Sequence, residues 1–258
     1  MDIAQQSSGS DEPISQSNWN DRGRAILIGF GLVVAAIVTG SLLSIAPITL
    51  GGTSFAAIVA VFVLSEAGYA LVGWVYLRNW FSETVPIELP TFRQMWWVIV
   101  STLVMLAIAM GVGVISTHTG IQLGRADQEL IAGSQTMVLV MAVLSPILIA
   151  PAEEYLFRGV IQRRLAQSMH PRAAIFVASL LFVIPHAIGY LGGVQGILLL
   201  SVVPFLLAVL MGILYEKFDN LTVPILAHGF YNATLFGTTY FTGFSESCHG
   251  LSVVVHRE

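Results

Sequence analysis

Residues 138–165 read VLVMAVLSPILIAPAEEYLFRGVIQRRL. An apolar run from Val138 to Ala150 leads directly into Glu153, Glu154 and Arg158, where a bilayer would normally exclude charge. Ionisable groups at membrane depth are costly, so each is a functional candidate whose partner has to be named. On a helix Glu154 and Arg158 stand four residues apart and can pair. Glu153, about 100° round the helix, is left as the carboxylate without a local cation. Pro146 and Pro151 remove backbone donors just ahead of the glutamates, which predicts a kink or break there.

The surrounding chain has the composition of a membrane protein. Of its 258 residues 55% are hydrophobic and 10% charged, and the mean hydropathy is +0.80. A single water-soluble core is excluded. The net charge of -4, with no basic block, gives no sign of a nucleic-acid partner. One cysteine, Cys248, cannot form an internal disulfide.

Seven runs are apolar enough to span, at 25–45, 55–77, 95–115, 137–166, 173–191, 197–216 and 223–241. The expected fold is an all-α polytopic membrane protein, a helical bundle of about seven transmembrane helices. The expected organisation is a disordered polar tail at 1–23, three helices over 24–135, a catalytic core of four helices over 136–243, and a tail at 244–258. Counting Lys and Arg orients the chain in a cell membrane. With the N-terminus cytoplasmic, Arg22, Arg24, Arg78, Arg93, Arg163, Arg164, Arg172 and Lys217 fall inside, with Arg158 near the inner end of the fourth span. Only Arg125 and Arg257 fall outside, which satisfies the positive-inside rule and puts the C-terminus outside.

Depth then follows from the helical rise: Glu153, His186 and His228 lie roughly 15, 21 and 16 Å from the inner boundary. Three distant segments thus bring ionisable groups to one level. His228 and Asn232, in HGFYN, share one helical face and can together donate to a single oxygen, as an oxyanion hole requires. Phe182 and His186 have the same spacing in FVIPH, and a carboxylate and an imidazole converging on one water can polarise it for attack on a carbonyl. Taken singly, the histidines fit interhelical hydrogen bonding and the glutamates an ion-paired helix end. Their shared depth favours chemistry. Glu66, in the second span, has no motif around it and is expected to be structural.

EEYLFR, FVIPH and HGFYN resemble the EExxxR, FxxxH and HxxxN motifs of the CPBP (Abi) family of intramembrane proteases, which includes the type II CAAX prenyl endopeptidases. The likeness covers 146–236, four spans in the same order. It implies an endopeptidase acting on a membrane-associated, possibly prenylated substrate. Glu153 and His186 would activate water, His228 and Asn232 would stabilise the oxyanion, and Glu154, Arg158 and Phe182 would support them. Glu153, His186 and His228 also form a ligand set that suits catalytic zinc. The histidines do not form a compact HExxH pair, so water activated without a metal is preferred and zinc is the alternative. The non-enzymatic rival is a transporter or scaffold, but spans one to three offer no counterpart to the proline-interrupted glutamate helix that an inverted repeat would supply. The substrate is expected to arrive from the inner face.

Overall fold

In a bilayer every backbone donor and acceptor must be paired within its own segment, so each apolar run becomes a helix. The computed structural model describes residues 16–253 apart from 82–83, 127–130 and 132–133, with side chains over 19–241. The long helices are α1 (Gln16–Leu43), α3 (Phe55–Trp80), α4 (Phe92–Thr119), α5 (Gln135–Ala166), α6 (Pro171–Ile188), α7 (Gly193–Phe218) and α8 (Thr222–Val253). A short α2 (Ile45–Gly51) links α1 to α3. Two-residue strands β1 (Gly124–Arg125) and β2 (Tyr190–Leu191) form an antiparallel ribbon, with Gly124 opposite Leu191 and Arg125 opposite Tyr190.

The chain is an all-α polytopic membrane protein. Among the described residues six helices are long and apolar enough to cross a membrane. The remaining long helix, α8, carries His228, Tyr231 and Asn232 among its apolar residues and packs among α4, α5 and α7. Large apolar side chains face outward in mid-span, among them Leu27, Leu103, Met110, Ile147 and Leu198, as lipid-facing positions require.

Start signals match the sequence. Thr91 and Gln94 form a reciprocal capping box at α4, and the Ser134 hydroxyl accepts from the Met137 amide at α5. Two boundaries differ. α1 is helical from Gln16, inside the stretch expected as a polar tail. Residues 1–15 lie outside the described residues. α8 continues to Val253, into the expected second tail, and 254–258 lie outside the described residues.

Of the kink or break expected ahead of the glutamates, α5 shows no break. The helix remains continuous through both prolines, with a π-helical turn at Ser145–Ile149 and a second π-helical stretch at Tyr155–Gln162. A wider turn relieves the clash between a proline ring and the preceding turn, and such insertions gather at functional sites. The glutamates sit on the five α-helical residues between the two, Ala150–Glu154.

The core centres on that second stretch: Leu156, Phe157, Val160 and Ile161 are buried against α1, α3, α6 and α7. α1 crosses α3 at Gly40 and Gly68, where a Cβ on Gly68 would lie 2.7 Å from the Gly40 Cα. Small residues permit this close approach. The bundle has two distinct ends. At one, the Lys217 ammonium lies over Trp97, the Arg163 guanidinium over Phe81, and buried Asn220 exchanges hydrogen bonds with the Glu88 backbone. At the other, the ribbon ties the α4–α5 connection to the α6–α7 connection, and the Ala126 amide donates to the Gly189 carbonyl.

Candidate active site

α5 presents Glu153 and Glu154 on neighbouring faces, and the two have different surroundings. Glu154 is fully buried, and its Oε1 accepts from Arg158 Nη1 at 3.0 Å and from His228 Nδ1 at 2.9 Å. Arg158 is buried too, and its Nη2 donates to the Ala208 carbonyl of α7 at 3.1 Å. Its guanidinium also lies 4.7 Å from the centre of the Phe182 ring. The expected Glu154–Arg158 pair is present, and it reaches a third element that the spacing did not indicate.

His228 is thereby oriented. A carboxylate already paired with Arg158 accepts, so Nδ1 carries the proton and Nε2 turns toward Glu153, 3.7 Å from its Oε2. α8 is held at this point from two sides. The Thr102 hydroxyl of α4 reaches the carbonyl of Ala227 at 3.3 Å. Gly229 lies against the first π turn, where a Cβ would come within 2.6 Å of the Pro146 Cα.

His186 Nδ1 lies 2.9 Å from the Phe182 carbonyl. A carbonyl only accepts, so this nitrogen is the donor and neutral His186 keeps a lone pair on Nε2. Phe182 packs on both catalytic candidates, with ring centres 4.6 Å from His186 and 6.1 Å from His228, while Phe157 meets it edge-on at 4.8 Å. The aromatic position of FVIPH thus spaces two imidazoles and the buried guanidinium.

Glu153, His186, His228 and Asn232 all line one cavity of about 680 Å³. Glu153 Oε2 is buried and has no hydrogen-bond partner. The arrangement offers an unpaired carboxylate, an imidazole lone pair, a second imidazole and a carboxamide around one space. Those are the parts needed to hold a water and to receive charge developing on a carbonyl oxygen. Among the described residues no group of three or more His, Cys, Asp or Glu side chains is placed to hold a metal ion.

The lining also includes Glu66, which was expected to be structural, with Tyr69 from α3 and Arg125 from β1. Glu66 Oε2 is buried without a partner. The signal was available, since counting twelve residues back from Arg78 puts Glu66 roughly 18 Å deep, level with the other three.

Residues 135–234 match the family model described as Type II CAAX prenyl endopeptidase Rce1-like. No curated protein and no solved structure matches the chain. The matched segment runs from α5 into α8 and contains all three motifs. Residues 135–234 therefore form a domain of the CAAX protease-like family.

Proposed function

We propose that this protein hydrolyses a peptide bond of a membrane-associated polypeptide, with Glu153 as the base and a water as the nucleophile. The observation that carries the reading is the one cavity shared by Glu153, His186, His228 and Asn232. His186 Nε2 accepts from the water and orients it, and Glu153 removes its proton as the oxygen bonds to the carbonyl carbon. Negative charge then develops on the carbonyl oxygen. Asn232 donates to it, and so does His228 Nε2, the ring entering and leaving the reaction with a proton on both nitrogens so that no further proton is drawn, with Glu154 as its counter-charge. As the tetrahedral intermediate collapses, the C–N bond breaks. Glu153 returns the proton to the leaving nitrogen, so that one water is consumed and an acid and an amine are released.

Every step uses this chain's own side chains and none runs through a metal. Full turnover in the presence of a chelator, with no zinc in elemental analysis of the active protein, is the expected result; stoichiometric zinc whose removal abolishes turnover would contradict it. The positive-inside rule supports a cytoplasmic N-terminus and an outer C-terminal end of α8. The test of function compares peptide termini in membranes of cells producing wild type or Glu153→Gln. Termini present with wild type and missing with the variant are expected, and identical sets of termini would overturn the proposal.

A further inference from the structure

We infer that the cavity is reached from the ribbon end of the bundle, opposite the basic residues, so that the scissile bond is presented from the non-cytoplasmic face. This deepens the proposed function and rests on it.

On α3, α4, α5 and α8 the lining residues lie to one side of the Glu153 level, while α7 lines the cavity from Leu200 down to Leu207 and Met211, which stand beside the Ala208 and Gly212 carbonyls and form its floor. α5 contributes Met141, Ile149 and Glu153 but nothing from 154 to 166. α8 contributes His228 and then only residues further along, out to Thr238 and Thr239. α3 supplies Phe62, Glu66 and Tyr69 from its half remote from Arg78, and α4 supplies Ala109, Val112 and Gly113 near its far end. Leu123, Gly124, Arg125, Gly189 and Tyr190 complete the lining at the ribbon. Arg125, Thr238 and Thr239 there are exposed.

On the other side of Glu153 the bundle is closed. Glu154, Phe157, Arg158 and Gln162 are each no more than 2% exposed. Arg158 is bonded to the Ala208 carbonyl and Gln162 to the Gly212 carbonyl, so α5 is bolted to α7 directly beneath the catalytic level. Arg78, Arg93, Arg163, Arg164, Arg172 and Lys217 lie beyond that plug. Eight of the eleven Lys and Arg residues stand at that end and one, Arg125, at the ribbon, which makes the plugged end cytoplasmic. A polypeptide arriving from the cytoplasm would meet the plug. One whose apolar segment is offered at the outer face would pass Arg125 and run along Leu200, Val203 and Leu235 to Glu153. The substrate class is therefore a membrane-attached polypeptide with a short apolar stretch on the non-cytoplasmic side, and this reverses the expectation of access from the inner face.

The test uses single cysteines in full-length protein carrying Cys248→Ala, labelled in intact cells with a membrane-impermeant maleimide sulfonate. Leu200→Cys and Leu235→Cys sit in the cavity, and exposed Gln167→Cys reports the basic end. Labelling of both cavity cysteines in intact cells, with Gln167→Cys labelled only after permeabilisation, is the expected pattern. Cavity cysteines that react only after permeabilisation, or not at all, overturn the inference. Labelling does not depend on turnover. Loss of hydrolysis in Glu153→Gln together with labelling from the cytoplasm would retain the protease and remove only its access route.

Discussion

Glu154 holds the polar cluster together at the level of single residues, because one buried carboxylate oxygen takes bonds from α5 and α8. Removing one partner of a buried ion pair leaves an uncompensated charge and costs about 3–5 kcal/mol. Arg158→Ala is therefore expected to lower the thermal midpoint in detergent strongly, whereas Glu153→Gln, whose Oε2 accepts no hydrogen bond and stands 3.7 Å from His228 Nε2, should leave it near wild type. Equal midpoints for the two variants would contradict this division between a structural and a chemical carboxylate. Asn232 lines the cavity as a carboxamide, and on the proposed mechanism it donates only when the carbonyl oxygen becomes negative. Asn232→Ala should then lower kcat about 10²–10³-fold with little change in KM, as loss of one oxyanion donor does elsewhere. A change confined to KM would assign Asn232 to binding instead.

At the level of elements, the two π-helical stretches of α5 and the close approach of α8 decide where the histidines stand. Gly229→Val would force a side chain into the backbone of Pro146 and displace the turn that carries His228. A loss of activity of at least about 10²-fold is expected, together with a lower midpoint. Gly237→Ala, where a Cβ meets nothing within 4 Å, should change neither. Wild-type activity in Gly229→Val would show that this contact does not position His228. The spans themselves were legible in the sequence because hydropathy reports lipid contact, and the i,i+4 spacings of Glu154 with Arg158 and His228 with Asn232 report helix faces. The π turns were not legible, since a proline is compatible with a break or with a widened turn and packing against α8 selects between them. The bond from Glu154 to His228 joins positions 74 residues apart, beyond the reach of any local spacing. The cavity's direction was hidden for a related reason: depth counting gives a level along the membrane normal but not the side on which neighbouring helices close.

Across the whole molecule, a second asymmetry accompanies the basic end. All five tryptophans, at 19, 74, 80, 96 and 97, belong to the ends of α1, α3 and α4 that carry Arg22, Arg78 and Arg93. Trp19 stacks with Arg22 and Trp74 with Arg78. Tryptophan collects at the headgroup level, so quenching by lipids brominated near the carbonyls should exceed quenching by lipids brominated near the chain ends. The reverse order would displace the depth frame on which the plug and the cavity are placed. The central claim is that helices α5, α6 and α8 close around one water and act on it as a unit, and residues acting as a unit give strongly non-additive losses. The most direct measurement is the single-turnover rate of purified protein on a cleaved peptide identified from the membrane termini, for Glu153→Gln, His186→Ala and the double variant. The account predicts that each single change lowers the rate about 10²–10⁴-fold and that the double variant falls little further. Losses that multiply, or a single variant that retains the wild-type rate, would contradict it.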